Sequence, residues 1–138
     1  MKYVVATVDE IPPGQRKIVE AGGREIGVFN VKGEYFAVLN RCPHQGGPLC
    51  KGTTYGFLVP AKVGEFRYTR QGEILRCPWH GWEYDLRTGQ SWFDPANVLV
   101  KRYDVSVENL RPGLQPGPYV AQTFPVSVEK EYVLVDVG

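Results

Sequence analysis

The sequence predicts an all-β fold, and three observations carry that prediction. Short runs rich in β-branched and aromatic residues recur along the chain, as at 3–8 (YVVATV) and 132–137 (YVLVDV). Breakers separate them: the 138 residues include 16 glycines and 11 prolines, above average usage but below the level that marks disorder. No segment sustains a helical apolar period.

Taken in order, residues 3–8 predict a first strand, stopped by the turn Asp9-Glu10-Ile11-Pro12-Pro13-Gly14. Residues 16–21, 24–31 and 34–40 predict three more, joined by Gly22-Gly23 and Lys32-Gly33 as hairpin turns. Phe57-Leu58-Val59 and Phe66-Arg67-Tyr68 predict a hairpin turning near Ala61 to Gly64, and residues 73–76 a separate strand. Glu83-Tyr84-Asp85 continues as a strand that Thr88-Gly89 turns, and Asp94-Pro95 is a further breaker. Residues 103–108 and 124–129 echo one another as half-buried strands around a Pro/Gly-rich excursion that includes Pro116-Gly117-Pro118. So short an echo reads as two similar strands, not a repeat.

Composition bounds the function. A chain of 138 residues fits one domain. The net charge of +1 excludes a bulk field for nucleic acid or membrane. Charge is uneven, however: residues 51–76 carry five basic against two acidic side chains, and residues 83–138 five against eight. Three cysteines are an odd number, so at least one lacks a partner in the chain, which favours a reducing compartment. No signal peptide opens the chain, since only a short apolar run precedes Asp9 and Glu10, and no stretch approaches the ~20 apolar residues of a membrane span. A cytoplasmic protein is expected.

Both histidines and two of the three cysteines fall in two short loops, Cys42-Pro43-His44-Gln45-Gly46-Gly47 and Cys77-Pro78-Trp79-His80-Gly81-Trp82. Thiolate and imidazole are the ligands that soft or borderline transition metals select. A Cys-x-His pair facing a Cys-x-x-His pair suits one metal site. Zinc would take the four as tetrahedral ligands. A 2Fe–2S cluster would divide them, thiolates on one iron and imidazoles on the other.

Cys42-Pro-His44 and the thirteen residues from Cys77 to Gly89 (CPWHGWEYDLRTG) resemble the two cluster-binding boxes of Rieske iron–sulfur proteins. The resemblance implies a Rieske fold: an antiparallel β base (1–40 and 94–138) carrying a small cluster-binding subdomain (41–93). It is weakest in 51–72 and 109–122, which look like insertions. It implies one 2Fe–2S cluster, with Cys42 and Cys77 on the inner iron and His44 and His80 on the outer. Around it Trp79, Trp82 and Tyr84 would shield and tune, while Gln45, Gly46 and Gly81 would let backbone N–H groups approach the sulfurs. Respiratory members of the family carry a disulfide-forming cysteine where Trp79 stands and a serine where Trp82 stands. Losing that hydroxyl donor implies a low potential, nearer about −150 mV than +300 mV. Tyr84 is retained as a donor.

Two histidines bound to a cluster leave none for a Ser-His-Asp triad or for the two-His, one-carboxylate iron site of oxygenases. The chain has no Walker loop and no G-x-G-x-x-G. The expectation is therefore a Rieske ferredoxin, not an enzyme. It would carry one electron from a flavin-dependent reductase to a terminal oxygenase through transient contacts. Alternatives are a small Rieske subunit of an oxidoreductase such as assimilatory nitrite reductase, a zinc-stabilised interaction module, or an N-terminal fragment of an oxygenase. Cys50 reads as a small buried hydrophobe more readily than as a reactive thiol.

Overall fold

The computed structural model describes residues 1–92, 94–110 and 130–138. Strands β1 (Lys2–Thr7), β2 (Arg16–Ala21), β3 (Arg24–Val31) and β4 (Glu34–Leu39) come first. β5 (Thr53–Pro60), β6 (Phe66–Arg76) and β7 (Glu83–Asp85) follow, then β8 (Arg102–Leu110) and β9 (Lys130–Asp136). All pairings between them are antiparallel. A six-stranded sheet runs β1-β9-β8-β4-β3-β2, and a three-stranded sheet runs β5-β6-β7. The predicted turns at Gly22-Gly23 and Lys32-Gly33 hold both central residues at positive φ (59° and 76°, 53° and 93°), the geometry that suits a two-residue hairpin. The segment Pro116-Gly117-Pro118 and the strand expected at 124–129 lie outside the described residues.

One expectation is corrected. Residues 66–68 and 73–76 belong to a single strand, β6, not two. A long bulge interrupts its ladder: Tyr55 pairs with Ile74 and Phe57 with Thr69, so residues 70–73 face only Gly56. Gln71-Gly72 reads as a breaker because Gly72 does leave the extended region, at φ 81°, yet pairing resumes beyond it. The bulge re-aims side chains. Arg70 meets Glu73 at 2.8 Å and Asp85 at 2.6 Å. Arg87 meets the same Glu73 carboxylate at 2.8 Å and Glu34 of β4 at 3.0 Å, so the network fastens the small sheet to the large one.

The core has two parts. Ile26 and Val28 of β3 and Ala37 of β4 face one cluster, with Ala6, Ile11, Tyr103, Val133 and Val135. Phe29, Val31, Phe36 and Val38 point the other way, into a second cluster with Leu49, Cys50, Leu75, Leu86 and the loop residues Cys42, Cys77 and Tyr84. The central strands are thus covered on both faces, and the small sheet with its loops is the second cover. Arg16 reinforces this junction by donating to the carbonyls of Cys50 and Gly52, while its guanidinium lies over Phe29. No helix among the described residues is long and apolar enough to cross a membrane.

Candidate metal centre

The two ligand-bearing loops have the same backbone plan. In the first, Cys42 N–H donates to Gly47 O at 2.8 Å and Gly46 N–H to Cys42 O at 2.7 Å. In the second, Cys77 N–H donates to Trp82 O at 2.7 Å and Gly81 N–H to Cys77 O at 3.0 Å. Gly46 and Gly81 occupy left-handed backbone (φ 78° and 72°), which favours glycine. Their amides therefore close the loops onto carbonyls. In the second loop the N–H groups that reach the Cys77 sulfur belong to Trp79 and His80.

The four predicted ligands come together as two pairs. Cys42 and Cys77 are each 2% exposed and belong to the core. His44 is half-buried and His80 exposed, with ring centroids 5.2 Å apart and planes at 88°. Among the described residues, no three His, Cys, Asp or Glu side chains gather around the place of a single ion. Zinc would take four such donors around one ion, and a 2Fe–2S cluster would take them as two pairs, thiols behind and imidazoles in front.

Burial raises the pKa of the Cys77 thiol, and the adjacent Cys42 raises it further. Two neighbouring buried thiolates need a positive centre between them, and a metal that replaces their protons supplies one. The donor set thus fits a soft metal centre. Tyr84 is fully buried, with its hydroxyl 3.2 Å from Cys42 Sγ. Burial, and then the proximity of Cys42, hold its pKa above the usual phenol range. The phenol keeps its proton and is placed to donate a hydrogen bond to a Cys42 thiolate.

Trp82 stacks on His44 at 4.2 Å with an interplanar angle of 12°, fixing the ring of one loop against the other. Trp79 is 56% exposed and lies over Gly47; a Cβ there would come 2.7 Å from the indole. Gln45 is exposed beside His44. Cys50 is buried, with its thiol aimed at Val38 O at 3.7 Å and its pKa pushed up by burial to about 12. It is an inert core thiol. Two residues escape the sequence reading. Arg41 and Arg76 each precede a loop cysteine and fold over that loop's glycine, Gly46 and Gly81. The repeated Arg-Cys-Pro is the signal that marks them.

Fold and donor set together define an all-β protein with a site for a soft metal centre. The chain belongs to the Rieske family: the family described as "Rieske [2Fe-2S] domain" matches residues 1–104. Its cofactor is accordingly one Rieske-type 2Fe–2S cluster. A curated relative, the ferredoxin component of naphthalene 1,2-dioxygenase/salicylate 5-hydroxylase systems from Ralstonia sp., is 31% identical over 106 residues. That match covers 77% of this chain and 86% of the relative. Among solved structures, the ferredoxin of carbazole 1,9a-dioxygenase from Nocardioides aromaticivorans IC177 superposes with a TM-score of 0.63 at 22% identity, covering 98% and 96% of the two chains. The putative NADH-dependent nitrite reductase small subunit from Mycobacterium tuberculosis superposes equally well, with a TM-score of 0.64 at 18% identity over 100% and 96%. At such identities the likeness shows the shared fold.

Proposed function

We propose that this chain is a Rieske ferredoxin, a one-electron carrier between a flavin-dependent reductase and a terminal oxygenase. It is a carrier and not itself a catalyst. Cys42 and Cys77 hold the inner iron as thiolates, and His44 and His80 hold the outer iron through ring nitrogens. Residues 41–93 form the cluster-binding subdomain on a base of 1–40 and 94–138. The observation that carries the reading is the pairing of buried thiols with outward imidazoles on two loops of one backbone plan.

The cluster, when bound, supplies one reversible electron. The protein's own residues do the rest. Tyr84 donates to the Cys42 sulfur, Trp82 orients His44, and the rigid loops limit reorganisation when charge changes. The histidine edge is where a partner makes contact. With Trp82 stacked on a ring in the place of a serine donor, the potential lies towards the low end of the Rieske range, nearer about −150 mV. We place the carrier in the cytoplasm, where its three cysteines stay reduced.

The test is metal analysis joined to a spectroelectrochemical titration of the purified protein. The reading expects iron, visible colour, and a one-electron wave that is lost in Cys77→Ser and in His80→Ala. Zinc without iron would replace it with the zinc-module reading. Co-purification in fixed ratio with a large partner would replace it with the enzyme-subunit reading.

A further inference from the structure

We propose that the surface around His44 and His80 docks an acidic protein face, with Trp79 and Leu99 as apolar anchors and Arg41, Lys51, Arg76 and Lys101 as the cationic rim. This rests on the electron-carrier reading and adds the chemistry of the partner.

The two loops open onto two shallow depressions. One, about 480 Å³, is bordered by Arg41 and Lys101 beside His44 and Leu99. The other, about 460 Å³, is bordered by Lys51 and Arg76 beside Trp79 and His80. Among the described residues, no carboxylate lines either one. Each arginine lies against the glycine of its own loop. Arg41 Nε lies 3.4 Å from where a Cβ on Gly46 would stand, and Arg76 Nη2 lies 2.9 Å from the same point on Gly81. Left-handed glycines therefore do two things: they close the loops, and they leave room for a guanidinium against each.

None of the four cations forms an ion pair among the described residues. Glu83 stands opposite Arg76 on the β6–β7 ladder, and Asp104 and Asp136 border a separate depression with Lys101, yet none of them is within ion-pair distance of a rim cation. Glu25 accepts from Asn40 Nδ2. The whole chain carries only +1, so this is a local field and not a consequence of net charge.

Trp79 and Leu99 are each 56% exposed. Docking interfaces concentrate Trp and Arg at their energetic centre and place polar groups at the rim. The complementary surface is a ring of Asp and Glu around an apolar patch. Opposite fields steer such partners together, and salt screens the attraction as the Debye length falls from ~30 Å at 0.01 M to ~8 Å at 0.15 M.

Stopped-flow oxidation of the reduced holoprotein tests this, with two acceptors of opposite surface charge: plastocyanin, acidic, and cytochrome c, basic. From 10 to 150 mM salt, the rate constant with plastocyanin should fall about tenfold, while that with cytochrome c stays level or rises. At low salt the double variant Arg41→Glu, Arg76→Glu should lose a similar factor with plastocyanin and gain with cytochrome c. Trp79→Ala should slow plastocyanin at every salt concentration. Should the double variant fail to fold, Lys51→Glu and Lys101→Glu carry the same test outside the loops. Arg24→Glu, remote on β3, is the control and should leave both rates unchanged. Rates insensitive to salt with both acceptors, or a steep fall with cytochrome c alone, would overturn the acidic-partner assignment. Absence of any one-electron oxidation would instead overturn the carrier reading beneath it.

Discussion

Replacing Tyr84 with Phe removes one oxygen atom and little else, because the ring is fully buried and has no room to move. The lost contacts are the hydrogen bond to Cys42 Sγ at 3.2 Å and the approach of the His44 backbone N–H to the same oxygen, of which only the first bears on a ligand sulfur. A hydrogen bond to a charged acceptor contributes about 1.5–3 kcal/mol. With Cys42 as a ligand in the proposed site, reduction would add one negative charge spread over irons, sulfides and ligands, so the bond to its sulfur would strengthen by only a fraction of that. Taking the fraction as roughly a third to a half gives about 1 kcal/mol favouring the reduced state. For a one-electron couple, tenfold in the equilibrium constant is 59 mV, so the midpoint should drop by about 40 mV in Tyr84→Phe. Protein-film voltammetry at fixed pH reads this directly, with metal content and visible spectrum confirming that the centre is retained. A midpoint that stays within about 10 mV, or rises, would refute the role given to the hydroxyl.

Two further outcomes follow from the packing. A Cβ on Gly27 would stand 2.4 Å from Cys50 Sγ, so Gly27→Ala should destabilise by about 1–3 kcal/mol in urea unfolding. Adding Cys50→Ala should recover part of that loss, and strictly additive costs in the double variant would contradict the contact. Burial alone would raise the Glu73 carboxyl, yet Arg70 and Arg87 bring it below the usual range. A lowered folded pKa gives stability that is present above the unfolded value, ~4.3, and lost as pH falls through the folded one. Urea unfolding from pH 7 to 3 should therefore show a fall below about pH 4.5 that is shallower in Glu73→Gln, with the variant about 1–2 kcal/mol less stable at pH 7. Parallel pH curves for the two proteins would show that the network contributes nothing through this carboxylate.

The sequence made the strands and the ligand loops legible, because both are written locally. Alternation and breakers mark β2, β3 and β4, and four donors in two short motifs mark the site. What it hid is set by contacts distant along the chain. β3 is buried on both faces only because the small sheet covers it, so Gly27, Phe29 and Cys50 look unrelated until folded. Residues 70–73 look like a gap between strands, and only the ladder shows that they are a bulge serving an ion network. The stacking of Trp82 on His44 likewise joins residues of different loops.

The same distinction explains how one site can be both insulated and accessible. Cysteine is placed where β4 and β6 leave the core, so its sulfur is buried whatever the loop does. Histidine sits two or three residues further on, in a loop closed by two hydrogen bonds, where His80 is exposed and His44 half-buried against Trp82. Spacing along the chain thereby becomes depth in the fold. An insertion of one residue between Cys77 and His80 would disturb the loop without unseating the thiol. The two-pair arrangement is therefore a property of loop geometry, and the arginines that lie against both loop glycines show how little space that geometry leaves to alter.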